Sequence, residues 1–256
     1  MKKKILISND DGVHAPGIQA LAERFQNDDE VYVVAPLDNK SAASLSLTLR
    51  QPLRIQKISE RTYGVSGTPA DCVHMALHQI LDFKPDFVLS GINAGGNIGR
   101  DTLYSGTVAA TVAASFQKIP GLAVSIEGEG EYLFKDAAEF TYRLVQQGLC
   151  DKIEPGKIVN LNIPNLPIAE IKELRTASLG NKAYTMDIVK NKDPRGGEYY
   201  WIGGTIDTSQ PKIPNSDGDL LLAGHATLSV LNPTYQDTLA TEVIRKELGL
   251  SEPLNS

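Results

Sequence analysis

Two adjacent carboxylates stand directly after a short apolar run near the start of the chain. Residues 5–7 predict a buried strand, and the segment Ser8-Asn9-Asp10-Asp11-Gly12 follows it. Neighbouring carboxylates repel each other, and a hard divalent cation is the partner that most naturally stabilises such a pair. Asn, Asp and Gly are also common in plain turns. This segment alone therefore leaves a metal site and an ordinary turn both open.

Two further polar segments follow predicted strands. Ser41 lies in the loop after a strand at 31–35, and Asn93 and Asn97 lie among glycines after a strand at 86–90. Glycines let the backbone approach a ligand closely and adopt positive φ. The glycine-rich segment lacks the spacing of a P-loop and that of a dinucleotide-binding loop. Taken singly, each segment could also be a solvated or flexible connection.

A fourth polar segment opens a predicted helix of small residues at 106–117. Ser105, Gly106 and Thr107 offer free backbone N–H groups, two hydroxyls and the positive end of the helix, which together suit a phosphate. Ser105 is also a common type of residue for a plain N-cap. The segment therefore predicts either a phosphate site or a structural cap.

The alternation of strands and helices predicts how these segments meet. Helices are expected to begin at Pro16 and at Pro69, and a further strand is expected at 122–126. Continuous apolar strands alternating with amphipathic helices indicate a parallel sheet covered on both faces. The loops that follow parallel strands lie at one edge of the sheet, where ligands bind near a switch in strand order. Oxygen ligands favour Mg²⁺ or Mn²⁺. We therefore expect one divalent cation per subunit, held by Asp10, Asp11, Ser41 and Asn93.

Composition limits the classes of partner. The chain has 256 residues, 41% of them hydrophobic, and a formal net charge of −6. An acidic balance argues against a nucleic-acid polymer and against an anionic membrane surface. Two distant cysteines argue against a disulfide scaffold or a thiolate zinc site. Because the first apolar run is too short for a signal peptide and no run could span a membrane, we expect a cytoplasmic location.

The second half of the chain is less regular than the first. A helix is expected at 136–147, strands at 157–163 and 225–231, and a last helix at 237–248. Residues 180–224 are rich in Gly, Pro, Asn and Asp, which predicts a loop-rich arm rather than a self-contained core. We expect a single domain over residues 1–256, with a metal- and phosphate-binding part at 1–130 and a C-terminal part at 131–256 that carries the arm.

Several blocks of sequence stand in a characteristic order. They are Ile7-Ser8-Asn9-Asp10-Asp11-Gly12, Val34-Ala35-Pro36 leading to Ser41, Gly67-Thr68-Pro69-Ala70-Asp71, Ser90-Gly91-Ile92-Asn93-Ala94-Gly95, Tyr104-Ser105-Gly106-Thr107-Val108, Asn160-Leu161-Asn162-Ile163-Pro164 and Asp193-Pro194-Arg195-Gly196. In these blocks the chain resembles the SurE family of stationary-phase survival proteins, which are metal-dependent 5′-nucleotidases. The similarity is dense over residues 1–126 and thinner to about residue 231.

The resemblance implies a three-layer α/β/α, Rossmann-like fold with a mostly parallel sheet and a C-terminal oligomerisation arm. It implies a homodimer or homotetramer that exchanges C-terminal elements between subunits. It also implies phosphate release from nucleoside 5′-monophosphates, with some 3′-monophosphates and short polyphosphate as further substrates. The family's metal ligands fall on the four positions gathered above, which are Asp10, Asp11, Ser41 and Asn93.

Hydrolysis of a phosphomonoester is the reaction that these residues predict. Asp10 and Asp11 are the expected catalytic residues, with Asp11 orienting water as a base; in a covalent variant, Asp10 attacks phosphorus. We expect the phosphate to be bound by Asn97, Ser105, Gly106 and Thr107.

Two alternatives remain open at this point. One is a nucleotide-binding regulatory module without turnover. The other is a haloacid-dehalogenase-like phosphatase, which requires a D-x-D pattern, whereas Val13 stands two residues after Asp11.

Overall fold

The computed structural model describes residues 2–182, 184–185, 187–205, 213–234 and 238–248. Its strands are β1 (Lys4–Ser8), β2 (Glu30–Pro36), β3 (Ile55–Lys57), β4 (Thr62–Val65), β5 (Phe87–Ala94), β6 (Gly121–Glu127), β7 (Ile158–Pro164), β8 (Lys172–Thr176), β9 (Asp187–Lys192), β10 (Glu198–Gly203) and β11 (His225–Leu231). Its helices are α1 (Pro16–Phe25), α2 (Pro69–Met75), α3 (Asp101–Tyr104), α4 (Gly106–Phe116), α5 (Phe134–Gln146), α6 (Asp217–Leu222) and α7 (Thr238–Glu247).

A mostly parallel sheet forms the centre of the described chain. Its strand order is β3-β4-β2-β1-β5-β6-β7-β11-β8. The strands from β4 to β7 run parallel, whereas β3 and β11 are antiparallel to their neighbours β4 and β7. The chain leaves β1 toward β2 on one side and later returns to β5 on the other side. The order of strands therefore switches at β1, where ligands bind in sheets of this kind.

Helices cover both faces of the sheet, which confirms the three-layer α/β/α class. On one face, α1 and α5 pack over side chains such as Ile7, Leu89 and Val124. On the other face, α2 and α4 pack over side chains such as Leu6 and Val88. Both faces of the central strands are buried because their apolar residues run continuously rather than alternating with polar ones.

Three elements differ from the expectations from sequence. The strand expected to end at residue 90 continues as β5 to Ala94; Gly91 has a φ of +137°, and the register with β6 shifts between Ser90 and Asn93. The helix that begins at Pro69 ends at Met75 and continues as one π-helical turn, Ala76–Ile80. The sequence did not predict β8, which is an edge strand of mainly charged residues around Leu174 and therefore has no apolar run.

The expected arm at 180–224 has two different parts in the structure. Strands β9 and β10 form an exposed antiparallel hairpin away from the main sheet. Helix α6 instead packs against β11 and buries Asp217 and Leu221. Residues 183, 186 and 206–212 of the expected arm, and residue 237 of the expected last helix, lie outside the described residues. No helix in the described part of the chain has the length and apolar character needed to cross a membrane.

Candidate functional site

Asp10 and Asp11 lie at the carboxyl edge of the sheet, just after β1 and at the switch in strand order. The side chain of Asn9 shapes the turn that carries them. Its Oδ1 accepts a hydrogen bond from the backbone N–H of Gly12 at 3.2 Å, and its Nδ2 donates to the carbonyl of Gly12 at 2.9 Å. Gly12 has a φ of +110°, which favours glycine at this position. The segment is therefore a defined turn that also presents two carboxylates.

Asp10 is held against the start of α4. Its side chain is 4% exposed, and its Oδ1 accepts a hydrogen bond from the hydroxyl of the fully buried Thr107. A Cβ added to Gly106 would lie 2.6 Å from the Cβ of Asp10, so glycine is the residue that fits there. Burial raises the pKa of Asp10 above its ordinary value, and hydrogen bonds from the Thr107 hydroxyl and the backbone of Gly106 and Thr107 act against that rise.

Asp11 is half-buried beside Asp10. Burial, and then repulsion from the Asp10 carboxylate, raises the pKa of Asp11 to about 6. A hydrogen bond from the backbone of Ala94 acts in the opposite direction. Because Ala94 is the last residue of β5, this contact brings the segments that follow β1 and β5 together.

The Ser41 loop and Asn93 lie at the same edge, and Asn93 belongs to β5 rather than to the loop expected after residue 90. The backbone N–H of Lys40 donates to the carbonyl of Asp10 at 2.7 Å, which places the Ser41 loop beside the aspartates. Ser41 is exposed, and its backbone N–H donates to Oδ1 of Asn39 at 2.8 Å. Asn93 is half-buried and uses its Nδ2 to donate to the carbonyl of Gly95 at 2.6 Å. This bond uses the amide nitrogen of Asn93 and does not involve its oxygen, which is the atom that suits a hard cation.

The residues expected to bind phosphate divide into three environments. Gly106 and Thr107 face Asp10, so any phosphate that binds there shares the start of α4 with this carboxylate. Ser105 is an N-cap, because its Oγ accepts a hydrogen bond from the backbone N–H of Val108 at 3.1 Å. Asn97 is buried, and its Nδ2 donates to Oγ of Ser125 at 2.7 Å.

Two buried asparagines on β7 fix the backbone of Asn97, and neither is among the site residues expected from the sequence. Oδ1 of Asn162 accepts from the backbone N–H of Asn97 at 2.9 Å. Nδ2 of Asn160 and Nδ2 of Asn162 donate to the Asn97 carbonyl at 2.9 Å and 3.1 Å. The available signal was the pair of amides inside an otherwise apolar strand, because buried polar side chains need partners.

The chemistry of the donors at the sheet edge suits a divalent cation. Asp10 and Asp11 are adjacent, their pKa values are both raised, and none of the ion pairs formed by the described residues involves either of them. A cation would offset this concentration of negative charge. The described residues contain no cluster of three or more His, Cys, Asp and Glu that could hold a metal. The oxygens available beside the two carboxylates for a cation at this edge are those of hydroxyl groups, amides and water.

Comparison with known proteins gives consistent similarities over the whole fold. Residues 5–186 match the family profile described as Survival protein SurE. The chain is 43% identical over 243 residues to the 5′-nucleotidase SurE of Vibrio parahaemolyticus, covering 94% of this chain and 92% of that protein. It is 47% identical over 201 residues to the 5′-nucleotidase SurE of Vibrio campbellii, covering 78% of this chain and 77% of that protein.

A solved structure agrees with these sequence comparisons. The crystal structure of the SurE protein from Aquifex aeolicus superposes with a TM-score of 0.83 at 36% identity, covering 96% of this chain and 99% of that chain. The agreement extends through the parallel sheet that carries Asp10 and Asp11 and into the C-terminal part. On the profile match, the identities and the shared fold together, this chain belongs to the SurE family.

Proposed function

We propose that this chain is a divalent-metal-dependent 5′-nucleotidase that releases phosphate from nucleoside 5′-monophosphates. The observation that carries this proposal is the buried Asp10, which lies beside Asp11 at the sheet edge and against the start of α4. Two carboxylates for a cation and a helix N-terminus for an anion are then side by side. The names of the relatives from Vibrio parahaemolyticus and Vibrio campbellii give the same activity for those proteins.

We assign one Mg²⁺ or Mn²⁺ per subunit to the oxygens of Asp10, Asp11, Ser41 and Asn93. A divalent cation, when bound, supplies a Lewis acid for the phosphoryl group and lowers the pKa of a water molecule bound to it. The two carboxylates come from one turn after β1, whereas Ser41 and Asn93 come from the segments associated with β2 and β5. The hydrogen bonds from Lys40 to Asp10 and from Ala94 to Asp11 support this arrangement, because they tie these three segments to one another.

The two aspartates take different roles in this proposal. Asp10 is the more buried, and the Thr107 hydroxyl fixes its orientation, so we assign it to holding the cation. Asp11 is the more accessible, and we assign it to orienting the attacking water and accepting its proton. In the covalent alternative, a carboxylate oxygen of Asp10 attacks phosphorus, the bond from phosphorus to the nucleoside oxygen breaks, and the nucleoside leaves as an alcohol after taking up a proton; water then hydrolyses the aspartyl phosphate to release phosphate. Trapping phosphate on Asp10 distinguishes the two routes.

The phosphate is assigned to the side of the aspartates at the start of α4. The residues assigned to it are Asn97 in the glycine-rich loop, Ser105 at the N-cap, and Gly106 and Thr107, whose backbone groups it would share with the Asp10 carboxylate. An anion beside a helix N-terminus gains from the helix dipole. We further propose 3′-monophosphates and short polyphosphate as slower substrates, since this arrangement contacts phosphate rather than base.

The experiment compares phosphate release from a panel of nucleoside 5′-monophosphates by the wild type, Asp10→Asn and Asp11→Asn. We expect EDTA to abolish release, Mg²⁺ or Mn²⁺ to restore it, and both variants to lose it while keeping their circular dichroism spectra. Asp38→Asn is the matched control, because Asp38 is an exposed carboxylate in the Ser41 loop. Release that persists in EDTA contradicts the metal mechanism. Nucleotide binding without release by the wild type indicates a regulatory module instead.

We also propose that the protein is a cytoplasmic homodimer or homotetramer in which the β9–β10 hairpin is the oligomerisation arm. Trp201 and Ile202 on this hairpin are 66% and 79% exposed, and they pair with Val189 and Ile188 of β9, which are also exposed. Exposed apolar side chains that lie together are typical of interaction surfaces. Light scattering on the wild type and on a Trp201→Ser, Ile202→Ser double variant tests this assignment. A wild type that is monomeric at micromolar concentration contradicts it.

A further inference from the structure

Three segments that are distant in sequence meet beside the glycine-rich loop. They are the end of that loop at Gly99, the start of the expected arm at Gly180, and the start of α6 at Asp217. Asp217 is fully buried, with 0% of its surface exposed. A buried carboxylate is costly unless it is fully hydrogen-bonded, so its partners show which segments it connects.

The carboxylate of Asp217 accepts three backbone hydrogen bonds. Its Oδ2 accepts from the N–H of Gly99 at 2.9 Å. Its Oδ1 accepts from the N–H of Gly180 at 2.7 Å and from the N–H of Gly218 at 2.8 Å. The backbone N–H of Asp217 in turn donates to the carbonyl of Ser178 at 2.9 Å. One side chain therefore joins the glycine-rich loop to two segments of the C-terminal part.

The backbones at this junction approach each other so closely that side chains would not fit. Gly99 has a φ of +56°, and a Cβ there would lie 2.4 Å from the carbonyl oxygen of Gly180. A Cβ on Gly180 would lie 2.9 Å from Oδ1 of Asp217. A second contact supports the same junction, since Nζ of Lys182 lies 3.4 Å from the carboxylate of Asp101. The junction is thus closed by backbone contacts and by charge.

The position of Gly99 gives the junction a consequence for the proposed nucleotidase site. Asn97 is fixed independently by Asn160 and Asn162 of β7, and Ser105 is fixed as the cap of α4. Residues 98–104 connect these two fixed points on the phosphate side of the site. The bond from Gly99 to Asp217 attaches the first part of this connection to α6. Its later part is held separately, by Ser44 at the carbonyls of Leu103 and Tyr104 and by the hydroxyl of Tyr184 at Asp101.

We propose that Asp217 is a positioning residue for substrate binding, acting through Gly99 on residues 98–104. This inference rests on the proposed nucleotidase function. Asp217 touches neither the aspartates nor the start of α4 among the hydrogen bonds of the described residues, so it acts through the loop and not on the reacting atoms. Its loss should therefore weaken substrate binding more than it slows the chemical step.

Asp217→Asn is the most selective test that the geometry offers. The amide has one oxygen, and that oxygen can keep the two bonds from Gly180 and Gly218 if its nitrogen faces Gly99. If the nitrogen instead faced Gly180 and Gly218, two bonds would be lost rather than one, so we expect the nitrogen to face Gly99. The variant then removes only the bond from Gly99, and it places the N–H groups of the new amide opposite the backbone N–H of Gly99. The substitution leaves the volume of the side chain nearly unchanged.

Steady-state kinetics and hydrogen exchange provide separate measurements. We expect Asp217→Asn to raise KM for a nucleoside monophosphate about tenfold while kcat changes less than about threefold. Amide exchange in the peptide covering residues 95–104 should become about tenfold faster in the variant. Asp219→Asn is the matched control, because Asp219 lies on the same turn of α6 and accepts from the exposed backbone N–H of Asn215 at 3.0 Å. We expect Asp219→Asn to change neither KM nor the rate of amide exchange in residues 95–104.

Several outcomes would overturn the inference. Unchanged KM and unchanged exchange in Asp217→Asn contradict it, as does a lower melting temperature without a change in KM. If Asp217→Asn does not fold, Gly180→Ala displaces the same carboxylate, because the added methyl group would lie 2.9 Å from its Oδ1, and unchanged KM and exchange there are equally contradictory. If the wild type releases no phosphate, the proposed function fails, whereas the exchange measurement still decides whether Asp217 holds residues 98–104.

Discussion

Removing the hydroxyl of Thr107 tests how the protein orients Asp10. Thr107 is fully buried at the start of α4, and its hydroxyl donates to Oδ1 of Asp10. Valine has nearly the same shape and lacks the donor. Thr107→Val therefore leaves the packing of α4 in place while the carboxylate loses one hydrogen bond. The remaining backbone hydrogen bonds from Gly106 and Thr107 are unaffected by the change.

The size of the effect follows from the charge and burial of Asp10. A hydrogen bond to a charged group contributes about 1.5–3 kcal/mol, and Asp10 is only 4% exposed, so water cannot easily replace the lost donor. Each 1.36 kcal/mol corresponds to about a factor of ten. We therefore expect Mn²⁺ affinity or kcat/KM for a nucleoside 5′-monophosphate to fall roughly 10- to 100-fold, as is typical when the partner of a metal ligand is removed.

The chain offers a closely matched control one turn further along α4. Thr111 is also fully buried, and its hydroxyl donates to the carbonyl of Val108 at 2.6 Å rather than to a site residue. Thr111→Val should lower thermal stability by a similar amount to Thr107→Val and leave kcat/KM unchanged. Thr107→Ser restores the donor and should recover most of the activity. Isothermal titration with Mn²⁺ and phosphate release as a function of Mn²⁺ concentration measure the two effects.

The comparison of the two valine variants can refute this reasoning. If Thr107→Val and Thr111→Val retain equal Mn²⁺ affinity and equal kcat/KM, the hydroxyl does not orient Asp10 for cation binding. If Thr107→Ser fails to recover activity, the loss comes from packing and not from the hydrogen bond.

Three further predictions concern the neighbourhood of the site, the cation and a distant ion pair. Gly106→Ala should abolish nucleotidase activity, since a Cβ would lie 2.6 Å from the Cβ of Asp10 and 3.0 Å from Cγ of Pro69; activity retained with an unchanged melting temperature would contradict this. Mn²⁺ at about 100 times its Kd should stabilise the wild type by about 2.7 kcal/mol, measured as a rise in melting temperature, but not Asp10→Asn. The hydrogen bond from Arg24 lowers the pKa of Glu139, so this contact stabilises the fold above the unfolded-state pKa and is lost as pH falls through the folded-state pKa. Glu139→Gln should therefore lower the urea midpoint at pH 7 and match the wild type in acid, and a difference independent of pH would contradict the assignment.

The parts of the fold that the sequence predicted are those set by local pattern. Apolar runs such as residues 5–7 and 122–126 gave strands because both faces of a central parallel strand are buried. Proline at Pro16 and Pro69 marked the start of two helices because its fixed φ suits the first helical position. The edge strand β8 was missed because it contacts one neighbour and is largely exposed, so no periodic apolar signal is required of it.

The candidate site also contains features that local sequence pattern predicts and features that it does not. Asp10 and Asp11 were predictable because a general rule places the ends of parallel strands at one edge, and the structure puts them there. The partners of Asn97 were not predictable, because Asn160 and Asn162 come close to Asn97 only when β7 pairs with β6. The hydrogen bond from Gly99 to Asp217 spans 118 residues and likewise has no local signature. Contacts of this kind depend on tertiary approach rather than on propensity.

The start of α4 lies beside the Asp10 carboxylate and is also the place proposed for the phosphate, and this affects the order in which a cation and a nucleotide would bind. Its backbone groups at Gly106 and Thr107 already stabilise the Asp10 carboxylate, so the positive end of the helix is partly offset before any phosphate arrives. Two carboxylates at the sheet edge would repel a phosphate dianion. A divalent cation held by both would offset their charge and leave the helix terminus as the net attraction. In the proposed function, the cation would therefore bind before the nucleotide, and it would let an acidic protein, with a net charge of −6, take an anionic substrate.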